Sequence, residues 1–126
     1  MLPFLRSRAR SFYYAFEGWW YVLKTQRNAW IHALISITVF IVCFWLRLPG
    51  RDWAVIILTI AMVWSAEFFN TALEAMIDLA SPDQNHLAKV SKDVGAAAVL
   101  IASSAAVLVG LLIMGPPLWE KITNLW

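Results

Sequence analysis

The sequence predicts an all-α integral membrane protein, with three spanning helices behind an N-terminal amphipathic helix that lies in the interface. Three observations lead there. Of the 126 residues 61% are apolar and only 14% charged, against about a quarter charged in an ordinary soluble domain, so the polar exterior that so short a soluble chain requires cannot be built. Apolar stretches over 30–46, 53–77 and 94–114 approach the roughly 20 residues a spanning helix needs. The basic residues segregate: Arg6, Arg8, Arg10, Lys24, Arg27, Lys89 and Lys92 fall on one side of those stretches, and Arg47, Arg51 and Lys121 on the other. Residues 1–126 form one domain in this reading.

The interfacial helix is predicted over 4–25. Phe12, Tyr13, Phe16, Trp19, Trp20 and Leu23 recur at spacings of three and four between Arg6, Arg8, Arg10 and Glu17, the pattern of a helix lying in the headgroup layer with its basic end near anionic lipid. No apolar core or cleavage site of a secretory leader is visible. The first span, 30–46, contains the single cysteine, Cys43, which has no partner in the sequence and reads as a small buried hydrophobe. Pro49 and Gly50 are expected to make the tight turn into the second span.

The second span, 53–77, is purely apolar only as far as Ala66, after which its helical pattern continues through polar residues to about Asp78. Ser81 with Pro82 is expected to end it, and the hydrophilic link to Asp93, containing Asp83 and Lys89, leads into the third span. There Ala98, Ala102, Ala106 and Gly110 recur every fourth residue, a stripe over which helices approach closely. Trp119 and Trp126 flank Glu120 and Lys121 in the tail and are expected to anchor it at the interface. The distribution of basic residues places the N-terminus and the second connection in the cytoplasm.

The chemistry concentrates in Glu67-Phe-Phe-Asn70-Thr71-Ala-Leu-Glu74-Ala-Met-Ile-Asp78. Steps of three and four put Glu67, Asn70, Thr71, Glu74 and Asp78 on one helical face. Two carboxylates at membrane depth repel each other and lose hydration, so something positive, or a water-filled cavity, belongs beside them. The structural alternative is that they pair with Lys89, Lys92 or Arg27 and hold helices together. Downstream, Lys89-Val-Ser-Lys92-Asp93 precedes the third span. A lysine near acids that can hold a divalent cation suits phosphate, while Asp93 alone would suit the N-terminal end of the third helix. Neither G-x-x-x-x-G-K-[ST] nor G-x-G-x-x-G occurs, so a nucleotide would be held by charged side chains and a metal. His32 and His86 lack zinc-ligand spacing; His32 reads as a polar contact at the start of the first span and His86 as a loop residue.

These residues resemble the small bacterial membrane kinases that phosphorylate diacylglycerol or undecaprenol. The matching pattern is Glu67-x-x-Asn70-Thr71-Ala-x-Glu74-x-x-x-Asp78 followed by Ala88-Lys89-x-x-Lys92-Asp93-x-x-Ala96-Ala97-Ala98-Val99-Leu100, with Tyr14-Ala15-x-x-Gly18 and Gln26-Arg27-Asn28-x-x-Ile31-His32 ahead of it. The resemblance implies a homotrimer of three-span subunits in the bacterial inner membrane, with active sites at the cytoplasmic surface. It implies ATP as co-substrate, Mg²⁺ as cofactor, a membrane lipid alcohol as acceptor and no nucleic-acid partner. Glu67 would be the general base, and Asn70 would orient the reacting groups. Glu74 would hold Mg²⁺ and the ATP phosphates, Lys92 and Asp93 would contact nucleotide, and Thr71, Asp78 and Lys89 would support the site. Gln26 stands where many relatives carry a second metal-binding Glu and offers the metal an uncharged carbonyl oxygen; Trp30 stands where an Arg is common. Ile31-His32 and His86-x-Ala88-Lys89 look more like the undecaprenol branch. The competing expectation is a non-catalytic membrane subunit or a small ion- or proton-binding transporter, a class that usually carries the internal repeats this chain lacks.

Overall fold

Burial in this chain is inverted relative to a soluble protein: Glu67 is 1% exposed while Leu112 is 76% exposed. An apolar surrounding makes the exposed leucines favourable and drives a carboxylate at that depth to the inside, where it is held at a cost. The computed structural model describes residues 2–81 and 85–124, and of residues 2–7 the backbone alone. Pro82, Asp83 and Trp126 therefore lie outside the described residues, as do the side chains of Phe4 and Arg6. Four helices follow one another: α1 (Leu2–Thr25), α2 (Arg27–Leu46), α3 (Gly50–Ala80) and α4 (His86–Thr123). The last three are long and apolar enough to cross a membrane.

One residue separates α1 from α2. Gln26 is extended, at φ −105° and ψ 116°, and its N–H still closes the last turn of α1 on Val22 O at 2.9 Å. Helix α1 leaves Phe12, Tyr13, Tyr14 and Phe16 exposed and docks through its C-terminal turns. Val22 packs with Ala29 and Trp64, and the Trp19 ring lies 4.7 Å from Trp64 and 4.8 Å from Phe68.

The turn after α2 differs from the expected Pro-Gly turn. Arg47 adopts the left-handed conformation, φ 55°, and Leu48 N–H reaches back to Cys43 O at 3.2 Å. Leu48 then buries its side chain beside Cys43 and Ile56, so an apolar contact across the helix end holds a non-glycine residue where glycine is usual. Gly50 is the first residue of α3, with Pro49 as its N-cap.

Helices α3 and α4 make the most extensive packing in the molecule. The seam on α4 is Gly95, Val99 and Ala102, spaced four and three as one helical face requires. Ala102 of the predicted small-residue stripe lies in it, whereas Ala98 is exposed. Helix α4 also begins earlier and ends later than the predicted span. Asn85 caps it by accepting from Ala88 N–H at 2.8 Å, so Asp93 lies two turns inside the helix and not at its start. The helix runs through Pro116 and Pro117 to Thr123, an interruption that spanning helices tolerate when neighbours support them. That support is local: Ile113 and Met114 pack on the Cys43 cluster, and Lys121 Nζ donates to Trp45 O at 2.5 Å.

These lengths set depth. Helix α2, of 20 residues, is about 30 Å long and matches the hydrocarbon core. Running antiparallel from Gly50, α3 climbs the same height by Asn70, and its last ten residues project beyond. Glu67 therefore lies one turn inside the start of α2, Glu74 one turn outside it, and Asp78 further out.

Candidate active site

The second half of α3, the first turns of α2 and the N-terminal half of α4 enclose a pocket of about 270 Å³. Its polar lining is Gln26, Asn28, His32, Glu67, Asn70, Glu74 and Ser103, and its apolar lining Ile31, Ala96, Val99 and Leu100. The α3 residues reach it because Glu67, Asn70 and Glu74 follow at three and four on the face turned to α2 and α4. Gln26 reaches it because the break after α1 releases its side chain toward the level of Glu74.

Glu74 is the centre of the hydrogen bonding. Its two carboxylate oxygens accept from Gln26 Nε2 at 3.0 Å and from Asn70 Nδ2 at 3.2 Å. Glu67, deeper, has its Oε2 3.8 Å from His32 Nε2. Thr71 is buried and donates to the backbone carbonyl of Glu67 at 2.9 Å, not to its carboxylate. Four buried side-chain atoms here have no hydrogen-bond partner among the described residues: His32 Nε2, Glu67 Oε2, Asn70 Oδ1 and Ser103 Oγ. Three of the four acceptors and donors thus sit on or beside the predicted acidic strip, and burial without partners is a cost that functional sites bear and packing sites avoid.

Of the residues singled out in the sequence, Gln26, Glu67, Asn70 and Glu74 come together in the pocket. Lys92 does not line it. Its ammonium lies 2.5 Å from Asp78 Oδ1, tying α4 to the projecting end of α3, and so Asp78 leaves the strip for this pair. Lys89 and Asp93 are exposed on α4. Among the described residues neither Glu67 nor Glu74 is paired with Lys89, Lys92 or Arg27. Glu17 also stays outside: it accepts a hydrogen bond from Tyr13, and that bond together with its charge pushes the exposed Tyr13 phenol above its ordinary value.

His32 and Ser103 were not singled out as site residues. His32 could have been found from Asn28, four residues earlier on the same face of α2, and Ser103 from its polarity within an otherwise apolar run aligned with Ala96 and Val99.

Among the described residues no group of three or more His, Cys, Asp or Glu forms a metal cage. The donor set nevertheless fits Mg²⁺, which is commonly held by one or two carboxylates together with substrate phosphates. Glu74 supplies a carboxylate whose two partners are neutral amides, and Asn70 Oδ1 is an uncommitted oxygen beside it.

Gly95 is the closest approach of α4 to this group. A Cβ added there would collide with Asn70 Oδ1, an atom of a short side chain already bonded to Glu74. Gly95→Ala is expected to turn the Asn70 amide away from Glu74 and, if the pocket is a reaction site, to lower its rate about tenfold, since small misplacements in such a site are costly. Stability should fall slightly, by up to about 2 kcal/mol, because overpacking the α3–α4 seam outweighs the gain of about 1 kcal/mol from alanine's helix preference. Steady-state rates and thermal unfolding in detergent check the two halves separately.

A family model described as prokaryotic diacylglycerol kinase matches residues 13–114. A Synechocystis protein named diacylglycerol kinase is 43% identical over 109 residues, covering 86% of this chain and 62% of that protein. The chain thus spans less than two thirds of that relative's length. Bacillus subtilis undecaprenol kinase is 37% identical over 109 residues, covering 86% of this chain and 89% of its own. Escherichia coli diacylglycerol kinase is 32% identical over 96 residues, 70% of this chain and 78% of its own. No solved structure matches the chain.

Proposed function

The chain belongs to the prokaryotic diacylglycerol kinase family of membrane lipid kinases, and on that premise we propose that it transfers the γ-phosphoryl group of ATP, with Mg²⁺, to the hydroxyl of a membrane lipid alcohol. The acceptor is diacylglycerol or undecaprenol. The observation that carries this reading is the depth ladder on α3: a buried carboxylate, Glu67, whose Oε2 has no hydrogen-bond partner among the described residues, at the inner end of a pocket whose outer end holds Glu74.

A lipid alcohol stays in the bilayer and brings its hydroxyl to the inner carboxylate, while nucleotide approaches the outer one from water. Glu67 takes the hydroxyl proton as the oxygen bonds to the γ-phosphorus, and the bond to the bridging oxygen breaks with its electron pair leaving on ADP. Asn70 orients the reacting groups from between the two acids. Glu74, with Gln26, would hold Mg²⁺, which supplies neutralisation of phosphate charge. The protein's share is otherwise positioning, as phosphoryl transfer requires. Lys92 and Asp93 serve the nucleotide from the first turns of α4, supported by Asp78, Lys89 and Thr71.

A cytoplasmic position for the pocket is supported by the basic residues Arg8, Arg10, Lys24, Arg27, Lys89 and Lys92, which fall on its side of the spans in keeping with the positive-inside tendency. The exposed apolar faces of α2, α3 and α4 accommodate both lipid and the neighbouring subunits of a homotrimer.

Purified protein in lipid–detergent micelles, given Mg²⁺ and γ-labelled ATP with each alcohol in turn, is expected to label at least one of them. Folded protein that labels neither would overturn the kinase reading and leave the acids as an ion or proton site.

A further inference from the structure

We infer that His32 is the residue that presents the acceptor hydroxyl to Glu67, as a hydrogen-bond donor touching the substrate oxygen. The inference rests on the lipid-kinase reading and adds to it a substrate-binding residue on α2.

Four observations carry it. His32 Nε2 and Glu67 Oε2 face each other at 3.8 Å, too far for a direct hydrogen bond and too near for two independent sites. Both atoms are buried, and neither has a hydrogen-bond partner among the described residues. A simple ion pair in so apolar a setting would close to bonding distance, because both groups gain by it. A single oxygen set to one side of the gap, about 2.8 Å from each atom, satisfies both, and the pocket they line is open to such a group.

The polarity of the pair selects a hydroxyl. Neutral imidazole donates from one nitrogen, and a carboxylate only accepts. A hydroxyl can accept from the first while donating to the second, and in that pose its proton already points at Glu67. The imidazole keeps its own proton throughout the transfer. Its place is fixed by neighbours: the ring lies edge-on to Trp64, and Ser36 donates to His32 O at 2.7 Å while accepting from Trp64 Nε1 at 3.3 Å. A water molecule has the same hydroxyl chemistry, and transfer to lipid tells the two apart.

The test compares His32→Gln, whose amide nitrogen reaches the position of Nε2, with His32→Asn, whose amide is polar but too short, and His32→Phe, which fills the space without a donor. All are assayed with wild type on the lipid alcohol that wild type phosphorylates. Asn and Phe are expected to lower kcat/KM for lipid by about 10²-fold, the usual effect of removing one donor to a reacting oxygen, with KM for ATP within twofold of wild type. Gln is expected to stay within tenfold and to keep the wild-type dependence of rate on pH. Wild-type rates in Asn and Phe would overturn the inference and leave water as the occupant. An equal loss in all three would also overturn it, since the ring itself and not the donor would then be required. If wild type labels no lipid, the kinase reading fails and the inference falls with it. Nucleotide affinity reports folding, and the polar Asn variant decides the matter should Phe not fold.

Discussion

Glu67→Gln is expected to lower phosphoryl transfer by about 10²–10⁴-fold, the range for losing a positioned general base, while leaving KM for ATP nearly unchanged. The amide keeps the size and the hydrogen-bonding capacity of the side chain but takes no proton. Its second consequence has the opposite sign. Glu67 is 1% exposed and its nearest basic group, His32 Nε2, stands 3.8 Å from Oε2, beyond hydrogen-bonding distance, so the acid is held at a cost that a neutral amide does not incur. Thermal unfolding in detergent should therefore show the variant as stable as the wild type or more so. A variant both inactive and destabilised would mean that Glu67 serves packing. One that is active would remove it from the chemistry.

Glu74→Gln is expected to fail differently. Its two oxygens accept from Gln26 and Asn70, and an amide in its place has one acceptor oxygen for two donors. One of them is left facing an NH₂ group, at a cost of about 1–3 kcal/mol if buried and less here, where the bonds are part-exposed. The charge that would hold Mg²⁺ also disappears. The expected result is a fall in kcat/KM for ATP of about 10²–10³-fold, a higher Mg²⁺ concentration for half-maximal rate, and slight destabilisation. Titrating Mg²⁺ at fixed ATP separates this from the Glu67 variant, whose metal dependence should stay as in the wild type. A Glu74 variant with an unchanged Mg²⁺ requirement would place the metal elsewhere.

The three spans and the acidic strip were legible because each depends on residues close in sequence. Apolar run length alone marks a span, and steps of three and four alone place Glu67, Asn70 and Glu74 on one face. What surrounds them depends on other helices. His32 reads from the sequence as an ordinary polar residue, since its meaning comes from Glu67, thirty-five positions away. The pairing of Lys92 with Asp78 is likewise set by other helices, because the extension of α3 and α4 past the length of α2 brings the two within reach. The turn after α2 misled for a local reason: glycine at position 50 is the usual marker of left-handed backbone, but the buried contact of Leu48 with Cys43 supports that conformation at Arg47 instead.

Gln26 is the one residue between α1 and α2 outside a helix, and its side chain is bonded to Glu74. Helix α1 and the outer carboxylate of the pocket are therefore joined through a single hinge residue. A change in the angle between α1 and α2 is thus expected to be read at Glu74 first, ahead of any other carboxylate of the pocket.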